Sequence, residues 1–231
     1  MGDLDSPPTF DHPVCMTSDF GSDHLPDLIP LFPLSGTLLL PRATLPLNIF
    51  EPRYLTMVRD SMAGDRLVGI IQPRDRSASQ PALYQVGGVG RITQFAETGD
   101  GRFLISLTGL QRFRVRREVD TEKPYRLASV DYDGFAADWR TPDPLPAVLR
   151  ADLENSLRVY LDAQDLSADW QAVGAADDES LVHSLATVCP FETAEKQALI
   201  EAADLRERTA TLSALMAFAP GAATPAGGTM H

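Results

Sequence analysis

The sequence predicts an α+β protein in which a small β-barrel of about six strands, with one inserted helix, precedes a C-terminal helical bundle. Two observations support this prediction. Extended apolar runs interrupted by prolines occupy the first half of the 231-residue chain, and each proline favours an extended conformation in the residue before it. In the second half, leucines recur every four residues from Leu149 to Leu161, which is the spacing of one helix face.

The segment from residue 29 to residue 54 is expected to form short strands, kinks and the start of a helix. Five prolines divide it: Pro30, Pro33, Pro41, Pro46 and Pro52. The last of these suits the first helical turn, where a missing N–H would have no intrahelical partner. Tyr54, Val58 and Met62 follow at helical spacing, and Gly64 is a natural end. We therefore expect a helix over residues 52–63.

Four further strands are expected after this helix. They cover residues 66–72, 83–97, 102–118 and 125–132. The sequence Thr-Gly-Asp-Gly at residues 98–101 predicts a hairpin turn, because Asp-Gly readily adopts positive φ. Apolar and polar residues alternate after it, which predicts one face on the core and one in water. We expect Gly87, Gly88 and Gly90 at bulges or close strand crossings; a ligand-contacting loop is the alternative.

The second half is expected to be a bundle of three to five helices. Leu149 to Leu161 form the first apolar stripe, and Leu181 and Leu185 belong to a second helix. Thr193 is the expected N-cap of a later helix. The predicted organisation is a flexible arm at 1–26, a barrel subdomain at 27–134, a helical subdomain at 145–219 and a disordered tail at 220–231.

The composition is that of an ordinary globular protein. Hydrophobic residues make up 44% and charged residues 23% of the chain, and no apolar run approaches the roughly 18 residues of a membrane span. The acidic amino terminus lacks the apolar core of a secretory signal. Cys15 and Cys189 are too few for a disulfide framework. We therefore expect a cytoplasmic protein that does not interact with a membrane.

The net charge of −12 is unevenly distributed along the chain. Thirteen bases and nine acids lie in residues 51–126, whereas both ends are acidic. A general nucleic-acid binder makes many phosphate contacts and is expected to be basic. Nucleic acid is therefore not expected as a partner.

The sequence lacks the patterns of common catalytic and metal sites. Neither Lys123 nor Lys196 lies in a Gly-x-x-x-x-Gly-Lys-Ser/Thr motif, and no Gly-x-Ser-x-Gly motif is present. His12 and Cys15 resemble half of a metal site, but no second pair stands at ligand spacing. Cys189 has no identifiable partner base and is expected to be structural. We expect no catalytic residue, no metal and no cofactor.

The proline-rich segment closely resembles the start of the N-terminal domain of Lon ATP-dependent proteases. Three stretches carry the family's Leu-Phe-Pro-Leu opening, its Leu-Leu-Pro turn and its Leu-Pro-Leu-x-Ile-Phe-Glu-Pro-Arg-Tyr signature: Leu31–Leu34, Leu39–Pro41 and Leu45–Tyr54. Weaker similarity continues at 109–113 and 195–208. The resemblance thus covers residues 28 to 218, strongly at the start and in patches beyond.

The resemblance implies a PUA-like barrel and a role in substrate recognition. In Lon proteases this domain helps to recognise substrates and supports assembly, whereas separate ATPase and Ser-Lys peptidase domains perform the chemistry. Because the chain stops soon after Ala219, where those domains would begin, we expect a non-catalytic module. The expected partners are unfolded or peptide-like protein segments, with a protease or chaperone as a further partner. The expected state is a monomer or a weak homo-oligomer.

Leu47, Phe50, Arg53 and Tyr54 are the candidate protein-binding residues. A groove that combines apolar side chains with an adjacent cation suits unfolded protein segments. The alternative is that Tyr54 packs under the barrel, while Glu51 and Arg53 only fix the strand-to-helix turn.

Arg112, Arg114 and Arg116 alternate along one predicted strand and form a candidate anion or partner patch. A solvated strand face is the alternative interpretation. PUA-type barrels, named after pseudouridine synthases and archaeosine transglycosylases, also suggest a second function, RNA or nucleotide binding. In that case the arginine patch would be the contact surface.

Overall fold

The computed structural model describes residues 25–75 and 80–218. Its strands are β1 (Leu28–Pro33), β2 (Thr44–Ile49), β3 (Leu67–Ile71), β4 (Val86–Glu97), β5 (Phe103–Val119) and β6 (Arg126–Asp131). Its α-helices are α1 (Pro52–Ala63), α2 (Ala147–Ala163), α3 (Trp170–Ala175), α4 (Asp178–Val188), α5 (Thr193–Glu201) and α6 (Leu205–Phe218). The α+β class and the succession of sheet and helices are therefore as predicted.

The six strands form one sheet in the order β2-β5-β4-β3-β1-β6. All neighbours are antiparallel except β1 and β3, which run parallel. Strand β6 pairs with β5 as well as with β1. A continuous circuit of pairings therefore runs from β5 through β4, β3, β1 and β6 back to β5. Among the described strands, β2 pairs with β5 alone.

The first helix confirms the prediction made from its prolines and periodicity. Helix α1 covers Pro52–Ala63, with Pro52 in the first turn. Tyr54, Met57 and Val58 are buried on one side of it. They pack against Phe32 and other apolar side chains of the sheet, so α1 covers one face of the sheet.

The predicted glycine cluster lies where the segment before β2 crosses the sheet. A Cβ added to Gly88 would stand 1.9 Å from the carbonyl oxygen of Leu39, and one added to Gly109 would stand 2.0 Å from that of Leu40. Real carbon atoms cannot approach so closely, so only glycine allows this crossing. A register shift between Val89 and Gly90 adds an irregularity of the bulge type. The expectation of close strand crossings is confirmed.

The helices share a hydrophobic core with the segment that crosses the sheet. Leu38, Leu40 and Val86 come from the sheet region, and they pack in one cluster with Leu153 and Leu157 of α2. The same cluster contains Leu199, Leu212 and Met216 of the last two helices. Predicted leucines on α2 therefore do face a core, and that core is continuous with the sheet.

The segment after β6 forms a short 3-10 turn (Asp133–Trp139), which the sequence did not predict. It packs on β5, because Gln111 donates to the carbonyl of Phe135 at 3.0 Å and accepts from the indole of Trp139 at 2.9 Å. The turn also brings Asp138 over the side chain of Arg112.

Two arginines cap the carboxyl end of α5. Arg112 of β5 donates to the carbonyl oxygens of Ile200 and Ala202, and Arg208 of α6 donates to that of Leu199. Cations suit a helix carboxyl end, where the last carbonyl groups have no intrahelical partner. The contacts of Arg112 thereby join the sheet to the helices.

Helix α5 begins differently from its prediction. Its N-cap is Glu192 rather than Thr193, and a capping box links Glu192 with Glu195. The N–H of Glu192 donates to Oε2 of Glu195 at 2.7 Å, so the cap lies one residue before the predicted position. The predicted arm and tail lie outside the described residues, apart from Leu25 and Pro26.

Candidate functional site

The corner between β2 and α1 holds three of the four candidate protein-binding residues. Strand β2 ends at Ile49, and the carbonyl of Glu51 accepts from the N–H groups of Tyr54 and Leu55, both at 2.9 Å. This arrangement starts the helix at once. Phe50 is left 62% exposed at the corner. In the helix that follows, the side chain of Arg53 is exposed and that of Tyr54 is buried.

The exposed side chain of Arg53 stacks on the buried ring of Tyr54 at this corner. The guanidinium carbon of Arg53 lies 4.5 Å from the centre of the Tyr54 ring, which in turn lies 4.1 Å from the ring of Phe32. Arg53 also reaches Glu51, with Nη2 2.8 Å from the carboxylate. Burial raises the pKa of the Tyr54 hydroxyl, so the ring stays neutral. The aromatic face and the carboxylate together hold an exposed cation in place.

A cleft of about 430 Å³ opens beside Arg53 and Tyr54, and we call it the Tyr54 cleft. Its far wall includes Arg126, which pairs with Glu118 and donates to the carbonyl of Pro81 at 2.8 Å. Pro33, Pro73, Pro81 and Pro124 also line it. The cleft therefore offers charges of both signs and apolar proline surface. This combination suits a ligand that makes both van der Waals contacts and hydrogen bonds.

Three polar side chains fix one end of the Tyr54 cleft. The ammonium of Lys123 lies 2.8 Å from Asp60 and 2.9 Å from the hydroxyl of Tyr125, and that hydroxyl donates to Asp60 at 2.6 Å. The hydrogen bond from Lys123 lowers the pKa of Asp60, and the same contact raises the pKa of Lys123. Both stay charged, so the triangle ties α1 to the loop before β6.

The structure divides the predicted groove in two. Arg53 and Tyr54 line the Tyr54 cleft, whereas half-buried Leu47 lines a separate groove along β2 and β5, together with Leu104. Phe50 lies between these two along the chain and lines neither. Phe50, Arg53 and Tyr54 thus lie at one corner and Leu47 lies in a separate groove, so the four candidates do not form the walls of a single groove.

The candidate arginine patch is corrected at Arg112. Its side chain is only 3% exposed and is bound to Asp138, with Nη2 2.8 Å from Oδ1. The outward face of β5 is covered at this point by the turn at 133–139 and by the end of α5, so the expected alternation does not leave it in water. Arg114 and Arg116 are exposed, and Arg116 lies 3.3 Å from Asp131.

Groups that could hold a metal or act as nucleophiles are sparse in the described part of the chain. No three His, Cys, Asp or Glu side chains within residues 25–75 and 80–218 are arranged to hold a metal ion. Cys189 is a buried free cysteine, and burial raises the pKa of its thiol to about 11. The half-site at His12 and Cys15 lies outside the described residues. None of the helices described here has the length and apolar character needed to cross a bilayer.

The match to a family model decides where this chain belongs. Residues 28–217 match the model of the ATP-dependent protease La (LON) substrate-binding domain. The chain belongs to the LON substrate-binding domain family. This confirms the resemblance inferred from the proline-rich segment, and the match covers the sheet and the helices together.

Curated relatives of this LON domain are much longer proteins. It is 24% identical over 204 residues to the Lon protease of Cytophaga hutchinsonii, covering 86% of this chain and 25% of that protein. It is 28% identical over 207 residues to Lon protease 2 of Sorangium cellulosum, covering 82% of this chain and 24% of that protein. The chain therefore spans about a quarter of the length of the relatives it matches.

Solved structures of LON domains have a similar fold. A Lon N-terminal domain protein from Xanthomonas campestris aligns with a TM-score of 0.57 at 27% identity, covering 81% of this chain and 97% of that one. The N-terminal domain of the Mycobacterium avium complex Lon protease aligns with a TM-score of 0.58. Its identity is 14%, over 83% of this chain and 99% of that one, so it supports the fold alone.

Sequence reasoning missed several residues that shape the surface of this LON domain. Asp60 and Tyr125, which meet at the Tyr54 cleft, are 65 positions apart, and no local pattern connects them. Phe95 is 41% exposed beside the ring of Phe103. It lies in a run with strand character, where an aromatic residue is usual, so nothing in the sequence indicated that this side chain is exposed.

Proposed function

We propose that the chain is a non-catalytic protein-binding module that recognises unfolded or peptide-like protein segments. Membership of the LON substrate-binding domain family supports the general role. The observation that carries the specific site is the 62% exposure of Phe50, close in sequence to Arg53, a cation held against the ring of Tyr54. Large exposed apolar side chains next to arginine are frequent anchors in protein interfaces.

The corner and the Tyr54 cleft divide the task of binding. Phe50 provides apolar area for an aliphatic or aromatic side chain of the client. Arg53 and Arg126 provide N–H donors for client carbonyl or carboxylate groups, and Glu118 accepts from client donors. An unfolded segment exposes both kinds of group along its length, whereas a folded protein buries most of its apolar side chains.

The proposal also covers the architecture, the location, the oligomeric state and the partner of the module. The closed circuit of strand pairings supports describing the sheet as a small PUA-like barrel. We assign the module to the cytoplasm, as a monomer or weak homo-oligomer that works with a protease or chaperone. Catalysis would then reside in other domains or other proteins.

RNA or nucleotide binding at the arginine strand is the weaker proposal. Arg112 is buried in an ion pair and Arg116 lies beside Asp131, so fewer cations face the solvent than the sequence suggested. Contacts to many phosphates need many free cations.

The test is binding of a permanently unfolded model protein, reduced and carboxymethylated α-lactalbumin, to the wild type and to a Phe50→Ala/Arg53→Glu variant. We expect the variant to bind at least roughly tenfold more weakly, because hot-spot side chains carry most of the binding energy. Fluorescence anisotropy of the labelled client measures the dissociation constant. Circular dichroism confirms that each variant is folded.

The matched control is Leu166→Ala/Arg117→Glu, which removes an exposed apolar side chain and an exposed arginine elsewhere on the surface. We expect it to bind like the wild type. Equal weakening in both variants would assign the effect to net charge, and equal binding by all three proteins would move the site away from the corner.

A further inference from the structure

A second cleft, remote from Phe50, lies between the loop after the 3-10 turn and the start of α6. Its volume is about 370 Å³. It contains a quarter of the twenty basic residues of this acidic chain. We call it the arginine cleft and define it by Arg42, Arg112, Arg140, Arg206 and Arg208. It shares no lining residue with the Tyr54 cleft.

Two buried arginines line this cleft, and they differ in how many of their N–H groups have a hydrogen-bond acceptor. All five N–H groups of Arg112 meet acceptors, on Asp138 and on the carbonyls at the end of α5. Arg208 is 4% exposed and donates to Leu199, to Nε2 of His183 at 3.3 Å and to Ala202 at 3.4 Å. Two of its five N–H groups have no acceptor within the described part of the chain.

Two further arginines stand at the rim of the cleft. Arg140 and Arg206 are exposed, and neither guanidinium has an ion pair or hydrogen bond to residues 25–75 or 80–218. Arg206 lies in the first turn of the 14-residue helix α6. The carboxylates of Asp204 and Glu207 already accept from N–H groups at the amino end of this helix, so the positive charge at this part of the rim comes from the guanidinium of Arg206.

Charges in the cleft leave an excess of one cation. Glu179 is bound by Arg42 and Asp138 by Arg112, so these pairs cancel. Arg140, Arg206 and Arg208 remain, against Asp143 and Asp204. The carboxylate of Asp204 is turned to its own helix, where it accepts from the N–H of Glu207 at 2.8 Å.

The state of His183 is consistent with a positive potential at this place. Burial lowers the pKa of its imidazole, and the nearby guanidinium groups of Arg208, Arg42 and Arg112 lower it further, to about 3. His183 is therefore neutral at pH 7 and accepts a hydrogen bond from Arg208. It adds no competing charge to the cleft.

We propose that the arginine cleft binds the oxyanion group, phosphate or carboxylate, of a small anionic molecule. Planar guanidinium groups match both oxyanions in geometry. Arg140 and Arg206 at the rim would bind the group from outside, and the unused N–H groups of Arg208 would bind it from the floor. The cleft volume falls within the roughly 300–1,000 Å³ of small-molecule sites, so it has room for more than the oxyanion alone.

The test is the thermal unfolding midpoint of the full chain, measured against increasing inorganic phosphate and, in a second arm, succinate. Sodium chloride at equal ionic strength is the reference for each protein. We expect a saturable rise of the midpoint with at least one anion, since a ligand that binds only the folded state stabilises it. The arm that gives the rise identifies phosphate or carboxylate as the recognised group.

Two matched variants make the test specific. Arg140→Gln/Arg206→Gln should weaken the apparent affinity roughly tenfold or more, because it removes charge-assisted hydrogen bonds. Arg114→Gln/Arg116→Gln removes the same charge from exposed positions elsewhere and should respond like the wild type. The proposal is overturned if neither anion gives a saturable rise, or if both variants respond equally.

Discussion

The guanidinium of Arg112 and the carboxylate of Asp138 form a buried pair joined by parallel hydrogen bonds, with Nη2 2.8 Å from Oδ1 and Nε 3.0 Å from Oδ2. The backbone N–H of Arg112 donates to the same carboxylate at 2.9 Å. Asp138 therefore satisfies the cation that also caps α5, and it supports one of the polar contacts between the sheet and the helices.

Asp138→Asn should destabilise the protein strongly. It leaves the buried Arg112 without a counter-charge, and breaking a buried pair from one side costs about 3–5 kcal/mol of the free energy of unfolding. Urea denaturation measures the loss. Asp131→Asn, which faces the exposed Arg116, is the matched control and should change far less. Similar losses in the two variants would contradict a special role for the buried pair.

Gly88→Ala should also destabilise the protein, for a steric reason. The new Cβ would collide with the backbone carbonyl of Leu39 at 1.9 Å, and the crossing segment has to move to relieve the clash. Overpacking of this kind typically costs 1–3 kcal/mol, and a backbone clash places it at about 3 kcal/mol or more. Denaturant unfolding of Gly99→Ala provides the control, because nothing lies within 4 Å of a Cβ there. A tolerated Gly88→Ala would mean that the crossing is loose.

Stability should fall between pH 7 and pH 5 because of His183. Its folded-state pKa is lowered to about 3, whereas an unfolded histidine has a pKa of about 6.5. Below pH 6.5 the unfolded state binds a proton that the folded state refuses, so unfolding is favoured as the pH falls. The slope of about 1.4 kcal/mol per pH unit amounts to about 2 kcal/mol at pH 5.

The variant His183→Gln isolates this effect. Glutamine offers an oxygen to Arg208 but does not titrate, so its free energy of unfolding should decline less than that of the wild type over the same range. Asp60 and Asp177 have lowered pKa values, and their contributions are lost only at lower pH, near the unfolded value of about 3.9. Parallel pH profiles for the two proteins would contradict the assignment.

Pro46 lies at the open edge of the sheet. The carbonyl of Ala43 accepts from the N–H of Gly109 at 2.8 Å, and hydrogen-bonded pairs alternate along an antiparallel ladder. Leu45 and Leu47 therefore direct their backbone groups to β5, while Thr44, Pro46 and Asn48 direct theirs outward. Because proline has no N–H, the middle of this edge cannot donate to another strand.

Pro46→Thr should accordingly promote self-association. It supplies the missing donor together with a side chain that favours strands, so a second copy can pair along β2. Light scattering after size exclusion, at increasing concentration, measures the mass. Asn48→Thr introduces the same side chain without a new donor and should stay like the wild type. Unchanged mass in Pro46→Thr would show that other features protect the edge.

Local patterns predicted those parts of the fold that neighbouring residues determine. Pro52 and the spacing of Tyr54 and Val58 are sufficient to define α1, and the four-residue leucine repeat is sufficient to define α2. Helix α3 was not predicted, because its six residues are too few to show a helical period. Asp169 caps it by accepting hydrogen bonds from two N–H groups.

Long-range contacts set the limit of prediction at the candidate sites. Period-2 alternation placed Arg112 on the outer face of a strand, but only the folded chain brings Asp138 and Ala202 over it, 26 and 90 positions away. The corner at Phe50 could be named as a candidate site because its residues lie close together in the sequence. The arginine cleft was not, because its five arginines come from four distant segments of the chain.

The hydrogen bonds to the carbonyl groups at the end of α5 bear on whether the sheet and the helices can be separated into two proteins. One of their donors, Arg112, comes from the sheet, and another, Arg208, comes from the last helix. A gene fusion that carried the sheet alone into a new protein would leave the guanidinium of Arg112 without its acceptors on Ile200 and Ala202. A fusion that carried the helices alone would expose the carbonyl groups at the end of α5 that Arg112 covers. We therefore expect the sheet and the helices to fold as one unit.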